Sequence, residues 1–254
     1  MADEVLTEVE GKVLKITLNR PDAMNAVNLE LAQAMAAAME ELDNNSALSV
    51  GVLTGAGRGF SAGMDLKAFV SGGMPNVADR GFAGITEKAA DKPLIAAVEG
   101  FALAGGLEIA LSCDLVVAAQ NAKLGIPETG VGLFAGAGAL LRLPRRVPYG
   151  VAMKMALTAE PITAEEAAGY GLVDQVTEKG EALAGAMDLA ARVSRNAPLG
   201  LIASKALIRE MQGRTEAEFW AYQAAQHMHV FQTEDAIEGA TAFAEKREPN
   251  WQGK

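Results

Sequence analysis

The segment from Leu94 to Cys113 constrains this chain more than any other. It is the most apolar stretch and is long enough to cross a bilayer, yet it carries Glu99, Glu108 and the glycines Gly100, Gly105 and Gly106. A membrane span here would hold two carboxylates in hydrocarbon. The segment therefore reads as the core of a soluble, cytoplasmic protein that keeps an acid where acids are unfavourable. The N-terminal Met-Ala-Asp-Glu-Val lacks the basic start and apolar run of a signal or transit peptide.

Composition then narrows the chemistry. The 254 residues include one cysteine and two histidines. Cys113 alone cannot build a disulfide framework, and His227 and His229 leave little for a histidine-based metal centre. No metal and no separate cofactor is expected, and acid–base work falls to some of the 32 carboxylates. The net charge of −10, with no dense Lys/Arg cluster, argues against a nucleic-acid partner.

Along the chain, residues 3–9 and 12–19 alternate as a hairpin around Glu10-Gly11. Asn28 is a candidate N-cap for a helix carrying Leu31, Met35, Met39 and Leu42 on one face. Strands are expected at 49–54, 94–99, 114–119 and near 172–176, and residues 71–81 read as a loop. Helices are expected at 105–112, 136–142, 148–157 and 163–169. Beyond residue 180 only helical patterns remain: 181–194, 198–211 and 215–245, the last broken near Thr233. The fold class is α/β, with residues 1–195 as the core and 196–254 as a helical segment. That segment packs either on another subunit or back on its own body.

Three glycine-rich sites could carry chemistry. Gly55-Ala-Gly57-Arg-Gly59 follows a strand like a dinucleotide loop, but its last glycine comes one residue early and no acid ends a second strand downstream. Gly59-Phe-Ser61-Ala-Gly63 matches the nucleophile elbow of serine hydrolases. There, however, five loop residues separate Thr54 from Phe60, and the only histidines lie on a tail helix. Phe101-Ala-Leu-Ala104-Gly105-Gly106-Leu-Glu108 opens a helix whose first N–H groups suit a developing negative charge. Glu108 lies one turn further along the same face. The alternative for Glu108 is a solvent-facing acid on a half-buried helix. Pro127-Glu128, followed by Gly130, Gly132, Gly136 and Gly138, adds a second acid beside bare backbone.

At these residues the chain resembles the enoyl-CoA hydratase/isomerase (crotonase) superfamily. The resemblance runs through Asn-Arg-Pro-Asp-Ala-Met-Asn25-Ala26, Phe60-Ser-Ala-Gly-Met64-Asp65-Leu-Lys67, Ala104-Gly-Gly-Leu-Glu108, Gly125-Ile-Pro-Glu128, Gly136-Ala-Gly138, and Phe231 through Lys246-Arg247. It covers nearly the whole chain.

The resemblance implies a spiral of ββα units ending in a helical trimerisation segment, assembled as a homotrimer or a dimer of trimers. It implies an acyl-CoA thioester substrate, with CoA part of the substrate, whose carbonyl is held by the backbone N–H groups of Met64 and Gly105. Asn25, Ala26, Ala62, Asp65, Leu66 and Lys67 fall where the family contacts CoA. Leu133 and Gly136 fall at the acyl pocket, while Phe231 and Lys246 match positions that reach a neighbouring subunit's CoA. Retention of both Glu108 and Glu128 favours hydration, with Glu108 on the water and Glu128 delivering a proton. Isomerisation of the double bond is the alternative within the fold. A Ser61 hydrolase and a non-catalytic acyl-CoA binder are rivals from other classes. The stretch Leu133-Phe-Ala135 is more apolar than in short-chain hydratases, which leaves the acyl group open.

Overall fold

The computed structural model describes residues 3–254. The chain opens with an antiparallel hairpin, β1 (Val5–Glu10) and β2 (Val13–Leu18), followed by α1 (Leu29–Asn44) and β3 (Val50–Gly55). As expected, Asn28 caps α1, its side chain accepting from the Leu31 N–H. The 71–81 region is more ordered than a loop. A short helix, α2 (Leu66–Val70), leads to a small antiparallel pair, β4 (Asn76–Val77) and β5 (Gly81–Phe82).

The apolar segment then resolves into β6 (Leu94–Val98), β7 (Phe101–Leu103) and α3 (Gly105–Ser112). Next come β8 (Leu115–Ala119), β9 (Lys123–Gly125), a 3-10 turn at Pro127–Val131, α4 (Ala139–Arg146) and α5 (Tyr149–Thr158). Then β10 (Ile162–Thr163), α6 (Ala164–Tyr170) and β11 (Gln175–Thr177) complete the strand-bearing body. Four helices follow: α7 (Ala182–Val193), α8 (Pro198–Glu210), α9 (Glu216–Phe231) and α10 (Glu234–Glu245). The break between the last two falls at Thr233, which caps α10.

The main sheet runs in the order β1-β2-β3-β6-β8-β11, antiparallel only at β1–β2. A second sheet, β10-β9-β7, collects short strands that periodicity does not reveal. The central turns, β6-β7-α3 and β8-β9-α4, thus place one strand in the large sheet and the next in the small one before a helix returns. This is the expected spiral of ββα units.

Burial explains the continuous apolar reading of β6, whose five residues are all inaccessible. One face of the sheet, with Leu14, Ile16, Leu53, Ala96 and Val98, packs on α1 and α3. The other, with Val50, Val52, Ile95, Ala97 and Val117, is covered by Ala186 and Ala190 of α7. A parallel sheet covered on both faces needs apolar residues at consecutive positions. Of the two acids in the opening segment, Glu99 accepts the Ala182 N–H at the start of α7 at 3.0 Å. Among the described residues no helix is long and apolar enough to cross a membrane.

Candidate active site

Two backbone segments meet at the N-terminus of α3. Val27 bonds to Gly63 and Asp65, donating to the Gly63 carbonyl at 2.8 Å and accepting from the Asp65 N–H at 2.9 Å. In such a parallel bridge the N–H of the intervening residue, Met64, turns to the opposite edge. Gly105 is the first residue of α3, so its N–H has no partner within the helix and lies at the positive end of the dipole. A β-carbon added at Gly63 (φ +93°) would sit 2.7 Å from the Gly105 nitrogen. Only a bare backbone in this left-handed conformation brings the two segments so close. Gly106 is required for a related reason: a side chain there would strike the Ser61 carbonyl.

Glu108 lies on the first turn of α3 and is 3% exposed, which excludes the solvent-facing reading. Its Oε1 accepts the Ala137 N–H at 2.7 Å and the Ala139 N–H at 3.1 Å. Burial pushes the carboxyl above the usual range, while those two amides and the Arg142 guanidinium pull it back. Glu128, on the 3-10 turn, is shifted further. Burial raises it to about 7, its own backbone N–H opposes this, and the charge of Glu108 adds to the rise. Glu128 Oε2 is buried with no hydrogen-bond partner. The site therefore holds two unequal carboxyls, one solvated by two amides and one with an unpartnered Oε2.

The other residues singled out in the sequence divide into two groups. Around α2, Asp65 caps the helix by accepting from the Lys67 and Ala68 N–H groups and pairs with Arg20 at 3.1 Å. Leu66 and Lys67 are exposed beside it, and the Ala62 N–H donates to the Met24 carbonyl. Arg20 also donates to the Ala26 carbonyl, so one guanidinium joins the Ala26 and Asp65 segments. Asn25 is 1% exposed. Its side chain accepts from the Arg20 N–H and donates to the Ala56 and Gly59 carbonyls, each near 2.9–3.0 Å. It braces these loops from within and offers no free amide outward.

Leu133 and Gly136, both exposed, follow Glu128 on the way to α4, with Phe134 largely exposed beside them. Phe231 and Lys246 end α9 and α10, on the helical segment beyond α8. Phe231 is 66% exposed and stacks on His227, and Lys246 is exposed, so neither side chain is enclosed within this chain.

Ser61 is not a nucleophile in this fold. It is fully buried, its Oγ donating to the Asn25 carbonyl at 2.8 Å and accepting from the Gly63 N–H at 3.1 Å. Both histidines are on α9 and neither bonds to it. The hydrolase reading fails because the hydroxyl is a strut between loops.

Sequence reasoning missed the Ala137 and Ala139 amides and Arg142. The signal was the bare Gly136-Ala-Gly138 backbone, which marks available N–H groups but does not say which acid they hold. A cavity of 680 Å³ opens at the far end of α3, with Arg142 on its wall but neither Glu108 nor Glu128. There Arg209 donates to the Ser112 carbonyl at 3.0 Å and Arg146 to the Asp114 carbonyl at 2.8 Å, so cations complement the negative end of the helix.

Residues 8–254 match the family model described as enoyl-CoA hydratase/isomerase. The chain belongs to the enoyl-CoA hydratase/isomerase family. The structure of an enoyl-CoA hydratase from Mycobacterium tuberculosis H37Rv matches with a TM-score of 0.97 and 49% identity, over 99% of this chain and 100% of that one. A carnitinyl-CoA hydratase from Mycobacterium avium matches with a TM-score of 0.79 and 41% identity, over the full length of both chains (100% each). A curated relative, the carnitinyl-CoA dehydratase of Salmonella heidelberg strain SL476, is 38% identical over 262 residues and 100% of both chains. The fold is thus the crotonase-type spiral expected from the motifs.

Proposed function

We propose that this protein hydrates the 2,3 double bond of an enoyl-CoA thioester. The observation that carries this reading is the pair of unequal carboxyls, buried Glu108 and half-buried Glu128, beside two backbone N–H groups drawn together by Gly63. The thioester oxygen binds between the Met64 and Gly105 N–H groups, which stabilise the enolate as negative charge moves onto that oxygen. Glu108, kept ionisable by its two amides, takes a proton from water as the water oxygen bonds to the β carbon. Glu128 enters protonated, as its desolvated setting and the charge of Glu108 favour, and gives that proton to the α carbon. The cycle leaves Glu108 protonated and Glu128 ionised, and exchange with solvent resets both. No group beyond the substrate's own CoA is required.

Asn25, Ala26, Ala62, Asp65, Leu66 and Lys67 form the CoA-side wall in this reading, with Asn25 acting through the loops it braces. Leu133 and Gly136 border the acyl group. Residues 196–254 form the oligomerisation segment of a homotrimer or a dimer of trimers. Exposed Met211, Trp220, Met228, Phe231, Ile237 and Phe243 give that segment the apolar surface a second copy would cover. Phe231 and Lys246 then serve the CoA of a neighbour.

A panel of enoyl-CoA esters, including crotonyl-CoA, longer chains and the dehydrated carnitinyl ester, tests the reading. Conjugated-thioester absorbance should disappear and 3-hydroxyacyl-CoA should appear by mass. A shifted double bond at unchanged mass would replace hydration by isomerisation. Binding without turnover of any ester would leave a non-catalytic binder.

A further inference from the structure

The residue before the Gly105 amide is not a glycine, although its backbone is one that glycine favours. Ala104 sits at φ 51°, ψ −128°, a left-handed conformation that an L side chain rarely adopts. Both of its peptide groups are anchored. Its N–H donates to the Gly125 carbonyl at 2.9 Å, and its carbonyl accepts the Leu107 and Glu108 N–H groups at 2.9 and 3.2 Å. Across a trans peptide the N–H points opposite to the carbonyl. Holding the Ala104 carbonyl down the helix axis therefore aims the Gly105 N–H outward from the N-terminus of α3. The Ala104 methyl also fills the approach to Gly63, since a β-carbon added at Gly63 would lie 2.9 Å from Ala104 Cβ. Strain of this kind persists where surrounding contacts over-determine it, and such places cluster at working sites.

We infer that Ala104 is a positioning residue. Its strained backbone and its methyl set the direction of the Gly105 N–H and the spacing between the Gly105 and Met64 segments. The inference rests on the acyl-CoA reading above and assigns Ala104 no contact with the reacting atoms. Ala104→Gly relieves the strain and removes the methyl, so the variant should melt at the same temperature or higher. Its kcat should fall about tenfold with KM little changed, because a loosened donor acts mainly on the transition state.

The decisive readout is the absorbance of bound 2,4-hexadienoyl-CoA, which moves to longer wavelength as the thioester carbonyl is polarised. The wild type should show the shift, Ala104→Gly a smaller one, and Ala104→Ser, which keeps the β-carbon, nearly all of it. A full shift and full kcat in Ala104→Gly would overturn the assignment while leaving the acyl-CoA reading intact. Loss of the shift in Ala104→Ser to the same extent as in Ala104→Gly would also overturn it. Absence of any shift in the wild type would overturn the acyl-CoA reading and the assignment with it.

Discussion

A 2.7 Å hydrogen bond from the Ala137 N–H holds Glu108 Oε1 and ties the first turn of α3 to the chain entering α4. With the Ala139 N–H on the same oxygen, one side of the carboxyl is fixed and Oε2 is left for chemistry. Glu108→Gln keeps an oxygen that can accept both amides, so its fold and melting temperature should stay close to wild type. It removes the base. Hydration should fall about 10²–10⁴-fold while enoyl-CoA still binds. Steady-state kinetics with a calorimetric binding measurement checks this, and wild-type turnover would remove Glu108 from the mechanism.

The two carboxyls set the pH dependence. Hydration needs Glu108 ionised and Glu128 protonated, and the pair titrates as a unit with two macroscopic values. The kcat/KM profile should be bell-shaped. Its basic limb should fall near pH 7, where Glu128 loses its proton, and its acid limb above the usual carboxylate value of 4.5, because Glu108 is raised. A profile flat from pH 5 to pH 9 would contradict these roles.

Glu128 also makes the folded state sensitive to pH. Its folded value of about 7 exceeds the ordinary 4.5, so between these values the folded protein holds a proton that the unfolded chain has released. Stability therefore falls as pH rises through that window and is level above it. Glu128→Gln imitates the neutral form and should be more stable than wild type at pH 8 by about 1–3 kcal/mol. The difference should vanish near pH 4. Urea denaturation at both pH values measures it, and equal stability at pH 8 would show that Glu128 is not desolvated.

Much of this was legible in the sequence, for identifiable reasons. A helix with one apolar stripe and a polar cap, such as α1 behind Asn28, announces itself by period and cap, and the break before α10 shows at Thr233. The strands β7, β9 and β10 do not, because two or three residues cannot display a period of two. The acids Glu108 and Glu128 stood out because each is unusual locally, one in an apolar helix and one beside bare backbone. Arg142 and the amides of Ala137 and Ala139 did not, since their partner Glu108 lies 29–34 residues away in sequence. The motif that marked Asn25 did not reveal that its side chain is spent on bracing the Arg20, Ala56 and Gly59 backbone. A buried asparagine that bonds two other loops looks the same in sequence as one that faces a ligand.

Arg142 offers the most direct test of how the surroundings of Glu108 set its behaviour. Its guanidinium packs against Gly138 and donates to the Thr86 carbonyl and, at 3.5 Å, to the Ala137 carbonyl. It thus supports the same peptide segment whose N–H groups hold Glu108, and it lowers the proton affinity of that carboxyl through space. Arg142→Met leaves two carbonyls without this donor and should cost about 1–3 kcal/mol of stability. Removing a nearby cation raises a carboxyl further, so the acid limb of kcat/KM should move to higher pH. Arg142→Lys retains a positive charge but not the planar fork that spans two carbonyls. It should lose stability like the methionine variant while its acid limb stays nearer wild type. A limb that does not move in Arg142→Met would mean that the amides alone govern Glu108 and that Arg142 is only a strut.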